Sequence, residues 1–303
     1  MQALWMILAS LLFATMGVGI KVASSSFNVA ELVFYRGVVS IIFTAAVMRA
    51  RGTPLRTPVP AMHAWRTFVG TVSMGAWFYA IAFLPLATAM TLNYMSGVWI
   101  AAFLVGGSLV SANAQSSAKN QGQSQGPLVL TVLAAFVGVV MLLRPTIAQN
   151  QLFAGLIGLL SGIGAALAYL QVTALARVGE PATRVVFYFA VGTALGGLIG
   201  IAYLGVTPWP NISLAAALWI IPIGLLASVG QRCMTRAYSQ GPTLAAANLQ
   251  YSGIVFAAMY GLLLFGDVIP LIGWLGMALI VASGIAATLL THRALPDNHE
   301  EQR

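Results

Sequence analysis

Residues 67–118 read TFVGTVSMGAWFYAIAFLPLATAMTLNYMSGVWIAAFLVGGSLVSANAQSSA, 52 residues without one charged side chain. A bilayer core about 30 Å thick is crossed by roughly 20 apolar residues in a helix rising about 1.5 Å per residue. The stretch therefore has room for two crossings, divided at Leu84-Pro85-Leu86. Outward from it, charge-free runs recur at 185–231 (47 residues), 145–176 (32 residues) and 237–266 (30 residues). The 303-residue chain holds only 14 Lys and Arg and 6 Asp and Glu, and is 59% hydrophobic, with a mean hydropathy of +0.90. Soluble domains are about one quarter charged, so a soluble globular reading is excluded and an all-α, multi-pass membrane protein is predicted.

Cutting at Gly, Pro and polar clusters gives ten helices, at about 3–22, 30–48, 65–84, 88–110, 127–143, 153–177, 183–206, 214–237, 243–265 and 270–291. Barrel strands would alternate apolar and polar residues, and stretches such as 128–143 and 214–226 do not. The apolar start lacks the basic region of a secretory signal, so it reads as a first span. The single cysteine, Cys233, excludes an internal disulfide and a cysteine-based zinc cluster.

A net charge of +8 would suggest nucleic acid in a soluble chain, but these cations sit beside spans and no nucleic-acid partner is expected. Cytoplasmic loops retain Lys and Arg. With the N-terminus inside, that side collects Arg49, Arg51, Arg56, Arg66, Lys119, Arg177, Arg184, Arg232, Arg236, Arg293 and Arg303, against Lys21 and Arg144 outside. Both termini are expected in the cytoplasm, in a cell membrane.

The chain also reads as duplicated. A shift of 156 residues lays Ala89, Ser96, Gly97, Ala101 and Ala102 on Ala245, Ser252, Gly253, Ala257 and Ala258. A shift of 155 lays Gly75, Ala82 and Phe83 on Gly230, Ala237 and Tyr238. The expected units are 1–143 and 153–291, each of five helices, followed by a cytoplasmic tail at 292–303. An odd helix number inverts the second unit in the membrane, an arrangement typical of secondary transporters with a midplane site. The polar tract 111–126, SANAQSSAKNQGQSQG, cannot bury enough surface to fold and reads as a cytoplasmic loop.

Several segments together resemble the drug/metabolite transporter superfamily, and within it the ten-helix EamA-type permeases: ELVFYRG (31–37), FLPLATA (83–89), GPTLAAA (241–247), LLLFGD (262–267) and GMALIVASGI (276–285). The resemblance implies a transporter of small organic solutes with a central cavity between two four-helix groups, the fifth and tenth helices lying outside. Two features depart from the family pattern. Ser96-Gly97-Val98 and Ser252-Gly253-Ile254 stand where a proline is common, and the acidic end of helix four is missing although Asp267 stands at the matching place after helix nine.

Arg36 lies about six residues into the second helix, where an unpaired charge costs at least ~2.5 kcal/mol near the bilayer centre. It reads either as an anchor for an anionic or zwitterionic solute or as a structural arginine tied to carbonyls or to Glu31. Glu31 and Lys21 are expected to form a rim pair or to snorkel. Asn248, Tyr251, Ser252 and Val255 share one helix face, as do Asn93, Ser96, Gly97 and Ile100; both faces should point inward. Trp77, Tyr79, Tyr94, Trp99, Tyr169 and Tyr188 fall well inside spans. The candidate substrate-binding set is Arg36, Trp77, Tyr79, Asn93, Tyr94, Tyr169, Asn248, Gln250 and Tyr251.

No carboxylate falls deep in a span, which favours uniport or exchange over ion coupling. Nothing implies a cofactor or metal: there is no HExxH, GxSxG or Walker lysine motif and no mid-span histidine, so an enzyme is not expected. A channel, a lipid flippase and an intramembrane enzyme remain as alternatives. The expected partners are a small-molecule substrate and the lipid bilayer.

Overall fold

Asn28 opens the second helix with a reciprocal cap: its side chain accepts from the Glu31 N–H at 3.0 Å while its own N–H donates to Glu31 Oε2 at 2.9 Å. Such local signals set the helix limits throughout the computed structural model, which describes residues 2–103, 125–143, 149–240 and 243–294. The helices are α1 (Gln2–Ala23), α2 (Val29–Ala50), α3 (Pro60–Phe83), α4 (Leu86–Tyr94), α5 (96–103), α6 (Gln125–Leu143), α7 (Gln149–Arg177), α8 (Ala182–Leu204), α9 (Leu214–Ser239), α10 (Thr243–Gln250), α11 (Ser252–Phe265) and α12 (Leu271–Ala294). No strand occurs among the described residues.

Seven of the described helical stretches are long and apolar enough to cross a membrane. Their outer faces carry large apolar side chains, among them Leu4, Ile42, Leu195, Leu218, Ile221 and Leu263, each more than half exposed. The bundle thus presents hydrocarbon outward, as a lipid-embedded protein does.

The main antiparallel pairings set α1 on α9, α2 on α8, α3 on α7 and α6 on α12. Glycines let these pairs close: Gly37 meets the Ala194 backbone and Gly197 the Phe34 backbone across α2 and α8, and Gly162 meets the carbonyl of Leu92 across α7 and α4. The GxxxG spacings at Gly158 to Gly162, Gly192 to Gly196 and Gly196 to Gly200 likewise serve contacts within the chain, with Leu92, Thr67, Thr71 and Ala30.

The fourth and ninth expected spans are continuous helices over Leu86–Phe103 and Ala245–Phe265, each with one local irregularity. At Met95, between α4 and α5, the helical bonds from the Met95 N–H to the Thr91 carbonyl and from the Trp99 N–H to the Met95 carbonyl persist at 3.1 Å, while at Tyr251, between α10 and α11, the N–H turns to the Asn248 carbonyl at 3.1 Å in a tighter, three-residue turn. Rings fill the close approach between the two positions: Tyr94 lies against Gly253, and Tyr251 against Gly97 and Gly284.

Other boundaries differ in smaller ways. The third helix starts at Pro60, in the first turn where proline needs no partner for a missing N–H, so His63 and Arg66 belong to it. Most of the polar tract 111–126 lies outside the described residues, but its last two residues already belong to α6. Tail residues 295–303, Arg144, and Gly241 and Pro242 of the GPTLAAA segment also lie outside them.

Candidate functional site

Arg36 enters from α2 and Arg66 from α3, and both guanidinium groups lie over one ring, that of Phe189 on α8, with Cζ 5.3 and 4.1 Å from its centroid. Each arginine is 2% exposed. Among the described residues, Nε and Nη1 of both have no hydrogen-bond partner. The ring faces give cation–π attraction, which replaces part of the lost hydration but offers no hydrogen-bond acceptor.

The described carboxylates lie elsewhere. Glu31 caps α2 and accepts from the Thr207 N–H and hydroxyl at 2.8 and 2.6 Å. Asp267 pairs with Lys21 at 3.6 Å. Glu180 pairs with His63 and Arg184 at 3.2 and 3.1 Å. The expected Lys21–Glu31 rim pair is therefore replaced by Lys21–Asp267, because α11 ends beside α1 and Glu31 is held by its own cap. Arg36 is likewise not tied to Glu31.

The two arginines line a narrow cavity of about 40 Å³ at the centre of the bundle, with Trp77, Asn93, Tyr94, Tyr169 and Gln231 among its walls and Phe13, Met16 and Met74 as apolar neighbours. Room for a few waters remains. Three further polar atoms of its lining lack partners among the described residues: Trp77 Nε1, Tyr94 Oη and Gln231 Oε1. Asn93 is held in place by donating to Ser161 Oγ at 3.0 Å, and Ser161 in turn donates to the Gly158 carbonyl.

Of the nine residues expected at a substrate site, five line this cavity: Arg36, Trp77, Asn93, Tyr94 and Tyr169. Gln250 stands directly behind Tyr169, donating from Nε2 to its hydroxyl at 3.1 Å and accepting from Tyr238 at 3.3 Å. Tyr251 packs on Gly97 and Gly284, and Asn248 is half-buried outside the cavity lining. Tyr79 packs on Phe83 and Phe153 and borders a separate apolar groove. Arg66, Phe189 and Gln231 were not in the expected set. The sequence did carry a signal for Arg66, since Pro60 at the start of α3 puts it two turns inside the helix rather than at its border.

The two ends of the bundle differ. At one, Lys21 Nζ donates to the Leu84 carbonyl at 2.9 Å and Asp267 Oδ2 accepts from the Leu86 N–H at 3.1 Å, which closes α1, α11 and the α3–α4 turn together. At the other, a void of about 600 Å³ opens between Trp5, Arg51, Glu180, Arg232 and Arg236. Beside it Glu180 and Arg184 tie the 51–59 segment to the α7–α8 turn through Thr57, His63 and the Pro54 carbonyl. No group of three His, Cys, Asp or Glu among the described residues is placed to hold a metal.

A helical bundle with an apolar exterior, a small buried cavity lined by two arginines at its middle and a vestibule at one end is a multi-pass membrane protein. The chain is 30% identical over 288 residues to the pseudopaline exporter CntI of Pseudomonas aeruginosa, covering 92% of this chain and 93% of that one. It belongs to the family of membrane transporters that includes this exporter. It is also 28% identical over 293 residues to an uncharacterized transporter of Helicobacter pylori, covering 93% of each chain. A riboflavin transporter of Rhizobium johnstonii is 24% identical over 287 residues, covering 93% of this chain and 89% of that one. No family model matches the chain. A crystal structure of a protein 20% identical in sequence superposes with a TM-score of 0.65, over 96% of this chain and 98% of that chain; the two share the fold.

Proposed function

We propose that this chain is a secondary transporter of a small organic solute, of the EamA type within the drug/metabolite transporter superfamily, working by alternating access between inverted halves. The central cavity is its substrate site, and Arg36 is the main anchor within it. The observation that carries this reading is the cavity itself, a small space lined by two buried arginines without hydrogen-bond partners for Nε and Nη1 among the described residues, set between a closed end and an open vestibule. The pseudopaline and riboflavin of the relatives' names favour a small organic molecule here too.

The packing supports the inverted repeat. Exchanging α1, α2, α3, α4–α5 and α6 with α7, α8, α9, α10–α11 and α12 turns the α1–α9 contact into α7–α3, α2–α9 into α8–α3, and α1–α11 into α7–α4. The α2–α8, α4–α11 and α6–α12 contacts map onto themselves. The local turns at Met95 and Tyr251 obey the same 156-residue shift as the sequence match. In this reading the units are 1–143 and 153–291, the vestibule end with Arg51, Arg232 and Arg236 is cytoplasmic, and the chain is an inward-open form in a cell membrane.

The test is counterflow in proteoliposomes with labelled amino acids, nucleosides, vitamins and cationic drugs, with and without a pH gradient. Saturable exchange that Arg36→Ala abolishes at normal protein abundance is the expected outcome. Conductance without saturation would make the chain a channel. Unaltered exchange in the variant would remove Arg36 from the site.

A further inference from the structure

The unpartnered atoms of the central cavity are unequal in kind. Four are guanidinium nitrogens of Arg36 and Arg66, and a fifth is the indole Nε1 of Trp77; all five can only donate. Against them stand one amide oxygen, of Gln231, and the two-way hydroxyl of Tyr94. A site so weighted toward donors matches a ligand rich in acceptor oxygens. It also holds two positive charges over one ring with no carboxylate of the described chain paired to either.

Charge count narrows the ligand further. A buried cation without a counter-charge is strongly unfavourable, and a monoanion would satisfy one guanidinium and leave the other unpaired. Each planar guanidinium presents a fork of N–H groups that fits one carboxylate in bidentate fashion. Phe13, Met16 and Met74 leave an apolar wall for the carbon frame between the acids.

Resting on the transporter reading above, we propose that the central site selects a solute carrying two carboxylates, one for Arg36 and one for Arg66, over its monoanionic and neutral analogues. Neither arginine has a cationic counterpart in the other half. The VFY match of 33–35 with 186–188 puts Phe189 opposite Arg36, and the 155-residue shift puts Ile221 opposite Arg66. The charge therefore belongs to one half alone and stays with it as the halves rock.

The experiment compares phenylsuccinate, glutarate and aspartate with their own monoamides and diamides on the full chain. It is read two ways: as thermal stabilisation in detergent and as competition in counterflow. The diacid should act at a concentration at least about tenfold below its monoamide, as expected for loss of one charge-assisted pairing, and the diamide should be inert. Arg36→Gln and Arg66→Gln should each bring diacid and monoamide level. If diacids are inert while another solute exchanges saturably, the dianion assignment falls and the transporter reading stands. If diacids stabilise the protein but no solute exchanges, the site stands and the transporter reading falls. The amide series is read on the unmodified chain, so a variant that fails to fold leaves the test intact.

Discussion

Lys21 and Asp267 meet at 3.6 Å where α1 and α11 end, and between them they hold both sides of the α3–α4 turn, through the Leu84 carbonyl and the Leu86 N–H. One pair of side chains thus joins an early helix, a late helix and the turn between two others. At the opposite end of the bundle lies a vestibule lined by arginines. Under the proposed repeat that end also lacks the acid, since the 156-residue shift that lays Lys21 on Arg177 lays Ser111 on Asp267.

If this pair is the outer gate, weakening it should open the closed end. Asp267→Asn keeps an oxygen for the Leu86 N–H and removes only the charge. A partly exposed pair contributes about 1 kcal/mol, or about fivefold in a two-state population. The measurement is the rate at which a membrane-impermeant maleimide, added from the closed side, labels Met16→Cys in a Cys233→Ala background, since Met16 lines the central cavity. Labelling should quicken about fivefold; an unchanged rate would make the pair a structural clasp.

The opposite end carries its own pH dependence. Burial acts to raise the Glu180 carboxyl, but hydrogen bonds from Thr57, His63 and Arg184, with the Arg184 charge, more than offset this and hold it below its ordinary value. A carboxyl lowered in the folded state contributes stability that is complete above the unfolded value, about 4.3. That contribution is lost as pH falls through the folded value. Glu180→Gln leaves Arg184 without its partner and should cost about 3 kcal/mol at pH 7. Thermal unfolding in detergent should show the wild-type advantage at pH 7 shrinking as pH falls below 4; an advantage independent of pH would deny the ion pair its role.

Much of the fold was legible because charge-free runs and proline, glycine and polar punctuation report directly on how much chain lipid can take up. The local turns at Met95 and Tyr251 were not. Neither residue is a helix breaker, and both lie where rings of one span, Tyr94 and Tyr251, meet glycines of another, Gly253 and Gly97, a tertiary contact that no local pattern encodes. Arg66 illustrates the same limit: counting it with the basic border residues was sound statistically, yet the six residues of α3 before it carry its side chain into the core. Arg36 was legible because a lone charge well inside an apolar run has no bland location.

The contact of Gly253 with the Tyr94 ring should therefore be sensitive to volume. A methyl group added at Gly253 would come within 2.6 Å of the Tyr94 ring, and Tyr94 is fully buried with little room to retreat. Gly253→Ala should cost about 1–3 kcal/mol by overpacking. Tyr94→Leu in the same background should recover part of that loss, and a double-mutant cycle in thermal unfolding reads the coupling. Additive losses would place the two residues out of contact.

Gln250, next to the Tyr251 turn, links it to the cavity wall. It donates to Tyr169 and accepts from Tyr238, and those two rings stack at 5.1 Å with 25° between their planes. Gln250→Leu keeps most of the side-chain volume and removes both bonds, leaving two buried hydroxyls to find other partners. The expected loss is about 2 kcal/mol, more than for Tyr169→Phe, which strands only one amide N–H. Because Tyr169 faces the central cavity while Gln250 does not, the two variants should also separate in kinetics if that cavity takes the solute. Gln250→Leu should lower the maximal exchange rate by loosening α10 from α7 and α9, and Tyr169→Phe should raise KM with the maximal rate kept. Equal effects on both constants would mean that the tyrosine and the glutamine act only as a packed unit, with no separate contact between Tyr169 and the solute.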